Sequence, residues 1–147
     1  MELTGQWADT LLAFEQLFYL KLAVWGVMSL VAGSALLATL RARSRESPVL
    51  GGFGLAMAVW GVLEVALALA RRHGVVMRDL AAAISLDRSL WFAMGLLVGV
   101  AMASMLAAAL AWHLARRLRL VGAGVATTVH AIALAVLVLQ LIPAIVR

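Results

Sequence analysis

Cysteine is absent from the 147-residue chain, which excludes disulfides, thiolate catalysis and cysteine metal sites and leaves the redox compartment unread. Proline occurs at Pro48 and Pro143 only, so no proline interrupts the long apolar runs between them. Charge is scarce too: 13 % of residues are Asp, Glu, Lys or Arg, and they cluster between apolar runs, as in a set of spanning helices. No nucleophile stands beside a base and an orienting acid, and no glycine-rich loop is followed by lysine, so triad and phosphate-loop chemistry have no sequence support. Met1 to Trp7 lacks a basic segment, and Glu2 and Asp9 argue against a cleaved signal peptide.

What the chain has is apolar length. Hydrophobic residues make up 65 % and the mean hydropathy is +1.06, against roughly 45–50 % apolar residues in soluble domains. This composition predicts an integral membrane protein. The net charge of +5 does not point to nucleic acid, because the arginines stand at the ends of apolar segments, where lipid headgroups and topology account for them.

The expected fold is an all-α membrane protein, a single four-helix bundle over residues 1–147. Its spans fall at about 11–40, 50–72, 89–115 and 121–142, arranged as two antiparallel hairpins. Trp7 is suited to an interfacial anchor, and Lys21 can snorkel from the start of the first span. Arg41, Arg43, Arg45 and Pro48 end the first span and turn the chain. Gly74 caps the second. Residues 75–88 fit an interfacial helix, with Val76, Leu80 and Ile84 opposite Arg78 and Ser85. Arg116, Arg117 and Arg119 form the second tight turn, and Pro143 ends the fourth span. Six basic residues lie at the tight turns and six on the other side. Weighting short loops places the turns in the cytoplasm and both termini outside.

Within the third span Gly95, Gly99, Ala103 and Ala107 recur every fourth residue and continue to Ala111. Such a ladder lets another helix backbone approach closely, inside the bundle or as a face between two copies of the chain. A shift of 70 residues lays Gly52-Phe53-Gly54 and Val59-Trp60 on Gly122-Ala123-Gly124 and Val129-His130. A duplicated two-helix unit, related by an axis along the membrane normal, accounts for this register.

Phe14-Glu15 ahead of the first span, Trp60-Gly61-Val62-Leu63-Glu64 in the second and the Gly-x-Gly opening of the fourth resemble a family of uncharacterised small bacterial four-helix membrane proteins. That family has Phe-Asn before helix one and Trp-Asn-x-x-Asn in helix two. Glu15, Gly61 and Glu64 stand where it has asparagines. The resemblance implies the bacterial inner membrane and no activity.

Glu64 is the leading candidate site. Charged, a carboxyl at that depth costs about 2.5–3.5 kcal/mol on insertion scales, so it is neutral, paired or turned toward protein. The segments Trp25 to Ser29 and Trp60 to Glu64 share a Trp-Gly-Val start with a polar residue one turn on. Counting helical rise from the first turn puts Ser29 about 18 Å and Glu64 about 21 Å deep, so Ser29 is the expected neighbour of Glu64. His130 falls about 12 Å deep and His113 about 3 Å. A b-type haem between them is the minor reading, and otherwise no cofactor or metal is expected. Met28, Met57, Met102 and Met105 read as packing residues in preference to a copper(I) path. Thr127, Thr128 and Gln140 read as interhelical hydrogen-bond partners.

Two functional expectations follow, both non-enzymatic. The first is a scaffold or accessory subunit that packs through small-residue faces against a second copy or a larger membrane complex. The second is a small proton-coupled carrier or channel in which Glu64 exchanges the coupling proton. The bilayer is the one certain partner; nucleic acid is not one.

Overall fold

The computed structural model describes residues 2–44, 46–72, 80–114 and 116–140. They form four α-helices: α1 (Glu2–Ala42), α2 (Pro48–Arg72), α3 (Leu80–His113) and α4 (Leu118–Leu139), with no strand among the described residues. Each carries a stretch long and apolar enough to cross a membrane: Gln16–Ala42, Pro48–Ala70, Trp91–Leu114 and Leu118–Leu139. The protein is an all-α integral membrane protein.

Two boundaries differ from expectation. Helix α1 already includes the polar residues from Glu2 onward, since no proline stops it. Residues 80–88 belong to α3 and form no separate interfacial helix. The run Leu80-Ala81-Ala82-Ala83 is strongly helix-forming, and neither glycine nor proline follows before Gly95. Residues 73–79, including the expected cap Gly74, and Pro143 lie outside the described residues. Pro48 opens α2, where its missing N–H removes no helical bond. The connections after α1 and α3 each contain a residue in the left-handed region, Ser44 and Arg116, both at φ 48°, which turns the chain out of the helix.

Glycine sets the packing. On α1, a Cβ at Gly26 would lie 2.9 Å from the Gly61 carbonyl oxygen, and one at Gly33 would lie 2.5 Å from that of Gly54. As α1 advances from 26 to 33 its contacts on α2 retreat from 61 to 54, so the two helices run in opposite directions with backbones nearly touching. Helices α2 and α4 run in the same direction. A Cβ at Gly52 would strike the Arg119 carbonyl, and one at Gly122 would strike the Val49 carbonyl. These clashes are reciprocal under the 70-residue shift, which carries 49 to 119 and 52 to 122.

Helix α3 rests on α4 alone among the described residues, giving the order α1, α2, α4, α3 across the molecule. Its contact face is Ser104, Ala108 and Ala111: a Cβ at Gly124 would lie 2.8 Å from both the Ser104 carbonyl oxygen and the Ala108 Cβ. Of the small-residue ladder, Ala111 joins this contact, while the stretch from Gly95 to Ala107 does not pack inside the bundle. Added Cβ atoms at Gly95 and Gly99 meet nothing within 4 Å, and Ala103 and Ala107 are exposed. Ser104 and Ala108 each follow a ladder residue by one, about 100° around the helix, and Ser104 is chosen because its hydroxyl bonds Thr128 at 2.7 Å. At the end opposite the arginine turns, Lys21 Nζ donates to Gln140 Oε1 at 2.7 Å, tying α1 to α4.

Candidate functional site

Among the described residues the buried polar ones are Ser29, Glu64 and His130, at 1 %, 3 % and 0 % exposure. They come from α1, α2 and α4, and Ser29 and Glu64 each follow by three residues the Gly26–Gly61 contact of α1 and α2. A Cβ at Gly26 would stand 3.0 Å from the Glu64 Cβ, so Glu64 leaves α2 directly beside the α1–α2 contact.

His130 is fixed from several sides. Its Nδ1 lies 3.0 Å from the Ala126 carbonyl oxygen, one turn earlier on α4. A carbonyl only accepts, so Nδ1 carries the proton in this bond. The Trp60 ring stacks on the imidazole with centroids 6.0 Å apart and planes 20° apart, and Trp25 meets it edge-on at 5.9 Å. Trp60 is itself anchored by Nε1 donating to Thr127 Oγ1 at 3.1 Å. With Nδ1 protonated, Nε2 of the neutral ring is a bare lone pair, and it faces Glu64 Oε2 at 3.7 Å.

The partner expected for Glu64 was Ser29. Both Ser29 Oγ and the two carboxyl oxygens are buried without a hydrogen bond, so that bond is not made. Counting helical rise alone puts His130 about 9 Å shallower than Glu64, whereas the structure sets the two side chains against each other. The long carboxyl side chain leans toward the N-terminus of its own helix, which brings it back toward Trp60 and His130. The 70-residue repeat carried the usable signal: Trp60 and His130 occupy equivalent positions and meet face to face.

Among the described residues five buried polar side-chain atoms have no hydrogen-bond partner: Trp25 Nε1, Ser29 Oγ, both Glu64 oxygens and His130 Nε2. Leaving such an atom unpaired costs about 1–3 kcal/mol, far more than interhelical hydrogen bonding returns, about 0.6 kcal/mol on average. A proton shared by Glu64 and His130 sits on the carboxyl when both groups are neutral and on Nε2 when both are charged.

Haem does not fit these histidines. Nε2 of His130 faces Glu64 inside the protein and two tryptophan rings flank the imidazole, while His113 is exposed at the end of α3. Met28, Met102 and Met105 point outward at 61 %, 70 % and 51 % exposure and do not converge. Among the described residues no three His, Asp or Glu side chains are grouped to hold a metal. Thr127, Thr128 and Gln140 each bond across a helix interface, as expected.

From the arginine turns a groove of about 950 Å³ runs over α2 between α1 and α4 and reaches Trp60. Trp60 thus separates the groove from His130. The chain matches no family model, no curated protein and no solved structure, so the likeness of its Phe14-Glu15 and Trp60–Glu64 motifs to a four-helix family is carried no further.

Proposed function

We propose that the protein is a small, non-enzymatic proton-coupled carrier or channel of the bacterial inner membrane in which Glu64 and His130 exchange the coupling proton. The observation that carries this reading is the facing of Glu64 Oε2 and His130 Nε2 at 3.7 Å in a fully buried setting, with neither atom hydrogen-bonded. A carboxyl kept only for packing would be satisfied by the helix beside it. Here its neighbour is a second titratable group, and a rotation that closes less than about 1 Å brings the pair within hydrogen-bond distance. An ionisable residue placed this deep is a functional candidate in its own right. Enclosure of the pair between three helices is what an occluded coupling site near the midplane requires.

The test is flux. Purified protein in liposomes with an imposed pH gradient should pass protons, alone or with a solute, and Glu64→Gln should abolish that flux while the helical circular dichroism persists. Wild-type liposomes that stay proton-tight, or a flux indifferent to Glu64→Gln, would sink the proposal.

A scaffold or accessory-subunit role is the second reading, favoured by a separate observation. Only 6 % of the α3 span is buried, against 28 % of the α2 and α4 spans, and its Gly95–Ala107 face is open. A second copy of the chain supplies a matching small-residue face.

A further inference from the structure

Helices α1 and α4 are tied at one end by Lys21 and Gln140 and part toward the other, where they flank the groove over α2. The floor of the groove is one face of α2, running from Pro48 through Gly52, Leu55 and Val59 to Trp60. Those positions recur at helical spacing over 12 residues, about 18 Å. That length matches one leaflet of a hydrocarbon core about 30 Å thick. The walls and floor are apolar, and the mouth is polar.

Arg41 from α1 and Arg119 from α4 both line that mouth, together with Ser44 and Ser47. Glu46 is the one acid on the rim. Among the described residues neither arginine has an ion-pair partner. The first turns of α2 and α4 also face this end, adding the partial positive charge of two helix N-termini. Gly51 lines the groove, and a Cβ there would meet nothing within 4 Å, so the space above α2 is not filled by the protein.

We propose that this groove binds an anionic phospholipid, its phosphate held between Arg41 and Arg119 and an acyl chain laid along α2 as far as Trp60. Guanidinium groups match phosphate oxygens in charge and geometry. A soluble phosphate would use the mouth and leave the apolar length without purpose. A zwitterionic lipid would fill the groove and gain less from the two arginines. The site stands apart from the Glu64–His130 pair, which does not line the groove, and does not depend on proton coupling.

The experiment is native mass spectrometry of the full chain in mild detergent, with phosphatidylglycerol and phosphatidylcholine of identical acyl chains offered together. Wild-type protein should retain phosphatidylglycerol preferentially. Arg41→Gln and Arg119→Gln should each lower that retention about five-fold, the worth of one basic residue at an anionic surface, while Arg43→Gln, outside the groove, should not. Gly51→Leu places a side chain in the groove without striking the protein and should lower retention of both lipids. Circular dichroism on each variant confirms that the helices persist. Equal retention of the two lipids, or an Arg43→Gln effect as large as that of Arg41→Gln, would overturn the proposal. So would displacement of the lipid by millimolar inorganic phosphate with no effect of Gly51→Leu, which would mark a site for a free anion. Glu64→Gln should leave lipid retention unchanged whatever it does to flux.

Discussion

At the scale of single residues, glycine and one carboxyl divide the work. Gly52 and Gly122 let α2 and α4 touch backbone to backbone, each placed where a Cβ would run into the carbonyl of the other helix. Gly122→Ala is therefore expected to cost about 1–3 kcal/mol, the usual range for forcing atoms into a filled contact, and Gly52→Ala the same. Gly51→Ala, one residue away, faces open space and should stabilise the helix by about 0.5–1 kcal/mol through propensity alone. Unfolding of the three variants in one detergent would check the contrast, and equal effects would contradict the close α2–α4 approach. The same approach brings His130 to Glu64. Their distance of 3.7 Å and their unbonded atoms make Glu64 the residue on which the flux experiment turns.

At the scale of elements, α3 is the exception. The other helices use Gly26, Gly33, Gly52, Gly54, Gly61, Gly122 and Gly124 at contacts inside the molecule, whereas Gly95 and Gly99 of α3 meet nothing. If a second copy covers that face, Gly99→Ile should weaken self-association in detergent by tenfold or more, about 1.4 kcal/mol or above, and leave monomer unfolding unchanged. Analytical ultracentrifugation would decide between this and a face turned to lipid, for which the variant and the wild type would sediment alike. Helices α2 and α4 form the inner pair. Their reciprocal contacts, Gly52 on Arg119 and Gly122 on Val49, are what two copies of one unit related by an axis along the membrane normal produce. The Trp60–His130 stack lies on that same register, at positions where the two segments differ in sequence.

For the whole molecule, both tight arginine turns lie at one end and the Lys21–Gln140 tie at the other. The arginine end carries the groove, so the side of the membrane it faces decides which leaflet supplies the lipid. The orientation expected from the concentration of arginine in short turns has them in the cytoplasm and both termini outside. Because the chain has no cysteine, Ser44→Cys gives a single thiol for testing this. A membrane-impermeant maleimide added to intact cells should leave it unlabelled until the membrane is opened. Labelling in intact cells would reverse the orientation.

The sequence by itself determined the class, the spans and the depth of burial of Glu64. Apolar length and clustered charge follow from composition, and the bilayer imposes helices on any chain with those properties. The interhelical roles of Thr127, Thr128 and Gln140 were legible for the same reason: a hydroxyl or amide inside a span has few alternatives. Only the tertiary structure decided which polar groups meet. Depth along each helix was readable to within a turn or two, but which face of α3 turns inward and whether Ser29 or His130 reaches Glu64 depend on rotation and register between helices. Those are set by contacts between helices, such as Gly26 on Gly61, Gly52 on Arg119 and Gly124 on Ser104, which no single helix encodes.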